Sequence, residues 1–139
     1  MNPDNSYSPM KTARRTLVMG GPRSGKSTLA DEIAGGRPIF HTDQLREQGL
    51  DWSASSDVVA KWFDELGDEW VIEGVTVVRG LRKWLAANPG GLPADEFIWR
   101  PRPIEILSPR QLAMARGCDT VLKGILTDLW RRGAILTRR

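Results

Sequence analysis

The chain has little of what many active sites are built from. Its 139 residues hold one cysteine, Cys118, and one histidine, His41. A lone cysteine cannot close an internal disulfide, and nothing around it has the spacing of a metal ligand set, so a plain buried or surface thiol is expected. No zinc site or nucleophile triad can be assembled around His41, which is expected to pack or to close a strand. Long hydrophobic runs are also missing: none approaches the roughly eighteen apolar residues of a membrane span, and no secretory pattern opens the sequence. These absences exclude a disulfide scaffold, a zinc enzyme and a helical membrane protein. The expected setting is cytoplasmic, that of the host cell if the chain is viral.

What is present is ordinary globular material, 40% apolar and 27% charged. The net charge of +3 and the pI of about 9.4 favour an anionic partner. Residues 1–11 are rich in Asn, Pro, Ser and Asp without periodicity and read as a disordered leader. Residues 12–139 then have room for one core and one domain.

One segment carries most of the chemical information. Gly20, Gly21, Pro22, Arg23, Ser24, Gly25, Lys26 and Ser27 spell GxxxxGK[ST], directly after the apolar run Leu17-Val18-Met19. A triphosphate needs many donors in a small space, and a glycine-rich turn lets successive backbone N–H groups point inward with no Cβ in the way. Lys26 is the residue to reach the β- and γ-phosphates, and Ser27 the one to offer its hydroxyl to Mg²⁺. A helix starting there, with Thr28 in its first turn, aims its positive end at the anion. The pattern names ATP with Mg²⁺ as the expected ligand pair.

The rest of the chain alternates strand and helix. After a first helix over Lys26–Ala34, stopped by Gly35-Gly36, a second strand is predicted at Arg37–His41 and an amphipathic helix at Asp57–Leu66. Trp70–Gly74 and Glu96–Arg100 read as the third and fourth strands, separated by a helix marked by Val78, Leu81 and Leu85 that ends at Asn88-Pro-Gly-Gly91. Ser108-Pro109-Arg110-Gln111 has the residues of a capping box, predicting a short helix to about Arg116 before Gly117. A second helix is expected from Asp119 and an edge strand over Gly133–Thr137. The pattern predicts an α/β fold, a P-loop NTPase-type three-layer sandwich around a mostly parallel five-stranded sheet, with ligands at the carboxyl ends of the strands. That rim should gather Lys26, Asp43, Glu73 and Arg100.

Asp43-Gln-Leu-Arg46 follows the second strand, and with it the chain resembles the P-loop kinases of the polynucleotide-kinase and zeta-toxin type. The resemblance implies that Asp43 takes the proton of the acceptor hydroxyl and that Arg46 holds the acceptor. It implies further that Glu73, at the end of an apolar strand, joins Ser27 around Mg²⁺, and that Arg79 and Arg82 on the following helix bind an acceptor phosphate. One of Arg110 and Arg116 is then the lid arginine; six residues apart on one helix, they cannot both reach the same phosphate. Read from the residues alone, Asp43 could instead cap a turn, Glu73 stand exposed at a strand end, and the arginines be solvated. Arg23, within the loop, is either a phosphate contact or exposed. Of the six tryptophans, Trp52 could stack on a base, whereas Trp62, Trp84 and Trp130 fit apolar helix faces.

The activity implied is transfer of the ATP γ-phosphate to a hydroxyl on a nucleic acid or nucleotide. Its narrowest form is a phage-type kinase acting on 5-hydroxymethyluracil in DNA. A small nucleoside or nucleotide kinase, an ATP-binding regulatory ATPase without an acceptor, and a nucleic-acid module with a vestigial P-loop are the alternatives.

Overall fold

A computed structural model describes residues 13–139; the expected leader lies outside the described residues. Five strands, β1 (Arg15–Gly20), β2 (Ile39–His41), β3 (Trp70–Gly74), β4 (Glu96–Arg100) and β5 (Leu136–Arg138), form one sheet in the order β2-β3-β1-β4-β5. Every pairing is parallel. The central strands are near-continuous apolar runs because helices cover both faces. Along β1 the two faces alternate: Leu17 and Met19 join the larger core cluster, and Val18 the smaller one.

The helices are α1 (Lys26–Ile33), α2 (Asp43–Glu47), α3 (Trp52–Glu65), α4 (Val77–Ala87) and α5 (Pro109–Arg131). Helix α1 alone covers one face, placing Leu29 and Ala30 on Val18, Val71 and Ile98. The opposite face carries α3, α4 and α5, whose Val59, Phe63, Leu81, Leu85, Val121 and Leu122 pack on Leu17, Ile72 and Phe97. The result is the expected three-layer sandwich, whose parallel sheet brings the carboxyl ends of β1, β2, β3 and β4 to one rim. Among the described residues, no helix is long and apolar enough to cross a membrane.

Several boundaries differ from those predicted, each for a physical reason. Helix α3 begins at Trp52, five residues before Asp57, because the Asp51 carboxylate caps it by accepting the Ala54 N–H at 2.7 Å. The added turn and a half is serine-rich, and Ser55 and Ser56 are buried, so apolar spacing did not reveal it. The two helices expected on either side of Gly117 are one helix of 23 residues. Gly117 is not a stop: a Cβ there would sit 2.9 Å from Nη2 of Arg79, so its bareness admits that side chain. Cys118, Val121, Leu122 and Ile125 bury an apolar stripe through the junction, outweighing the roughly 1 kcal/mol that glycine costs a helix. The capping box at its start forms as predicted, with Gln111 N donating to Ser108 Oγ at 3.2 Å and Ser108 N to Gln111 Oε1 at 3.0 Å. Strand β5 lies later than Gly133–Thr137, because Gly133, at φ +94°, is spent closing α5. Trp62 packs against Phe40 and Trp84 is buried with its indole N–H on Asp64, but Trp130 is 77% exposed and belongs to no core.

Candidate active site

The loop between β1 and α1 is held from three sides. A Cβ on Gly20 would lie 2.7 Å from the Arg100 carbonyl oxygen, one on Gly25 2.9 Å from Arg100 Nη2, and one on Gly21 2.8 Å from the Ala115 Cβ. The glycines are therefore required by close neighbours as well as by the turn, where Gly25 caps α1 in the left-handed region at φ 80°. Arg100 closes β4 at the carboxyl-end rim, as expected, paired in register with Gly20; its Nε donates to the Ser24 carbonyl at 2.9 Å, so it braces the loop and does not line the cavity that holds Lys26. Arg23 is exposed, takes a left-handed conformation at φ 59°, pairs with Glu105 at 2.5 Å and accepts the Ile104 N–H at 2.7 Å.

Inside the loop, Lys26 is 7% exposed. Its ammonium donates to the Gly21 carbonyl at 2.6 Å and to Ser24 Oγ at 3.3 Å. Burial pulls its pKa below the usual 10.5, with Glu73 and then Asp43 partly restoring it. A desolvated ammonium of this kind gains most from an arriving anion. Ser27 and Thr28 are exposed at the start of α1.

Glu73, almost fully buried, ends β3 beside this loop. Its Oε2 accepts from Ser27 Oγ at 3.2 Å and lies 2.5 Å from His41 Nδ1. The latter contact follows from the sheet, since β2 and β3 place His41 opposite Glu73 in register. Thus His41 does close a strand, and it also meets the acidic residue expected at the cation. Ser27 and Glu73 present adjacent hard oxygens, the donor type that Mg²⁺ prefers. Among the described residues, no group of three or more His, Cys, Asp or Glu could hold a metal by itself. A two-oxygen protein site completed by phosphate and water oxygens is the usual arrangement for Mg²⁺ with a nucleotide, and the residues present fit it.

Asp43 opens α2 and is exposed. One turn on, the Arg46 guanidinium lies 4.2 Å over the Trp52 ring and donates to the Leu50 carbonyl at 3.0 Å. Residues 22–28, Asp43, Arg46, Glu47, Trp52, Glu73, Val75, Gln111 and Met114 line one cavity of about 540 Å³. Trp52 and Met114 also border a second cavity of about 340 Å³, whose wall includes Arg79. Arg79 is half-buried and has no carboxylate partner among the described residues; its Nη1 lies 3.9 Å from the sulfur of Cys118. That thiol is fully buried, its Sγ 3.6 Å from the Val75 carbonyl, and burial pushes its pKa up against the opposing pull of Arg79.

The structure thus brings Lys26, Ser27, Thr28, Asp43, Arg46 and Glu73 to one cavity, and Arg79 to its neighbour. Arg82 is exposed and borders neither, although it lies only three residues from Arg79 on α4. Arg110 and Arg116 are exposed on α5 and border neither, whereas Gln111 and Met114 of the same helix do. Those two, with Glu47 and Val75, were missed by sequence reasoning; the three-residue spacing of Gln111 and Met114 marks a shared helix face, but Gln111 had been assigned to the cap alone.

No protein-family model and no curated protein matches the sequence. Among solved structures, the chain is similar to shikimate kinase from Acinetobacter baumannii in complex with shikimate, with a TM-score of 0.49 and 18% identity over 91% of this chain and 83% of that one. No residue role is carried over at that identity.

Proposed function

We propose that this chain is an ATP-dependent, Mg²⁺-requiring kinase that transfers the γ-phosphate to a hydroxyl on a nucleotide or nucleic acid. The observation that carries the reading is that one cavity is lined by a phosphate-binding loop with a buried lysine and, facing it, by a carboxylate, a guanidinium and an aromatic ring. In the proposed step the acceptor oxygen attacks the γ-phosphorus, the bond from that phosphorus to the β,γ-bridging oxygen breaks, and ADP leaves. Asp43 accepts the proton released by the acceptor hydroxyl. Phosphoryl transfer asks more for an oriented nucleophile than for a strong base, so an exposed carboxylate suffices.

Loop amides and the Lys26 ammonium meet the charge on the phosphates, and Lys26 can do so at little reorganisation cost because the fold already holds it. Ser27 and Glu73 would hold Mg²⁺, which when bound neutralises charge on the phosphate oxygens. The Trp52 ring, with Arg46 over it and the charge of Arg79, which has no carboxylate partner among the described residues, in the adjoining cavity, suits an acceptor that carries a planar base and a second anion. The narrowest candidate is 5-hydroxymethyluracil in DNA.

The test is transfer of labelled γ-phosphate from ATP with Mg²⁺ to 5′-hydroxyl oligonucleotides, DNA containing 5-hydroxymethyluracil, free nucleosides and nucleoside monophosphates. Label on one of these supports the kinase reading and names the acceptor. ATP turnover with every acceptor unlabelled would replace it with a regulatory ATPase, and DNA binding that ignores Lys26→Ala would replace it with a vestigial P-loop module.

A further inference from the structure

We infer that His41 is a positioning residue that fixes the Glu73 carboxylate beside Ser27 and thereby sets the affinity of the nucleotide site for its divalent cation. The inference rests on the proposal that this cavity binds ATP with a metal ion.

Three observations support it. The Glu73 side chain is only 4% exposed, and a carboxylate so far from water must be compensated by donors. Two donors reach it, both at Oε2: the Ser27 hydroxyl at 3.2 Å and His41 Nδ1 at 2.5 Å. The imidazole is the closer and the better anchored, since its backbone is paired with Glu73 across β2 and β3. An ionised carboxylate only accepts, so the proton of this bond sits on Nδ1 and fixes the ring's tautomer. Lastly, the buried Lys26 ammonium nearby feels Glu73 more than any other charge. Without the imidazole, the carboxylate keeps only the longer hydrogen bond from Ser27 against the pull of that ammonium. Glu73 would then turn from Ser27, and that movement would cost the cation its oxygen pair. His41 keeps the two charges at separate tasks. Groups that orient a metal ligand from behind typically change metal affinity by about 10- to 100-fold.

Binding of Mn²⁺ to the full chain with ATP, followed by the enhancement of water-proton relaxation that separates protein-held Mn²⁺ from Mn²⁺–ATP in solution, tests this without any turnover. His41→Leu removes the donor, and His41→Asn places an amide N–H where Nδ1 was. The expected result is roughly tenfold weaker Mn²⁺ binding in His41→Leu, near-wild-type binding in His41→Asn, and unchanged ATP affinity in EDTA for both. Wild-type Mn²⁺ affinity in His41→Leu, or equal losses in the two variants, would overturn the positioning role while leaving the nucleotide site in place. A wild-type chain that holds no Mn²⁺ with ATP would instead overturn the nucleotide-site reading itself.

Discussion

The wall of the cavity that carries Lys26 and the wall that carries Asp43 are held in place by different means. On the first side, the loop is pinned by Arg100, Ala115 and the Arg23–Glu105 pair, and its working groups, Lys26 and Glu73, are 7% and 3% exposed. On the second, Asp43, Arg46 and Glu47 stand exposed on a helix of five residues, steadied at Trp52 by a cation–π contact of a kind worth about 0.5–1 kcal/mol at an exposed site. In the proposed kinase the rigid wall would face the part of the ligand that is the same in every nucleoside triphosphate. The looser wall would face the part that varies. Preorganisation would then be concentrated where charge must be met without rearrangement, and recognition of the acceptor left to side chains that can adapt.

Five substitutions test this division. Lys26→Ala should have the largest effect, lowering phosphate transfer by about 100- to 1,000-fold in the labelled-phosphate assay; wild-type rates would remove the rigid wall from the chemistry. Asp43→Asn should lower kcat by about 100-fold, the lower end of what a positioned base contributes, with the KM for ATP unchanged. Full activity in that variant would show that the proton leaves by another route. Trp52→Ala should raise the acceptor KM by about tenfold, as expected for a lost stacking surface, and leave the ATP KM alone. A rise in the ATP KM would move Trp52 to the donor side and blur the division. Arg110→Ala and Arg116→Ala should have the smallest effects, within about twofold as for exposed surface changes; a much larger loss of kcat in one of them would identify it as a lid that reaches the loaded cavity.

The rigid wall was also the legible one. A strand, a glycine loop and a helix contiguous over 15–33 can be read from residue order, and β3 and β4 were placed to the residue because strands covered on both faces are unbroken apolar runs. The second wall was legible at Asp43, Arg46 and Trp52. Its remaining members, Glu47 at the end of α2, Val75 between β3 and α4, and Gln111 and Met114 on α5, come from three separate places in the chain and are joined by no pattern that spans them. Helix α3 was shortened because its first turns bury Ser55 and Ser56 where apolar residues were sought. Gly117 read as a stop because its reason for being glycine is an arginine 38 positions away. The contact of His41 with Glu73 depends on strand register, which is set by the whole sheet.

Gly74 ends β3 at φ +145°, and a Cβ there would lie 1.8 Å from Oγ1 of Thr42, whose own N–H donates to the Glu73 carbonyl at 3.0 Å. Thr42 is the residue before Asp43. The proposed base and the carboxylate proposed for the cation are therefore mounted on one block, although they belong to opposite walls. In that reading, strain that a bound acceptor places on Asp43 would be felt at Glu73, and linkage requires the reverse to the same factor. Donor and acceptor should bind as interdependent partners: measuring the affinity for ATP with and without saturating acceptor gives that factor, and a value of one would show that the block does not transmit.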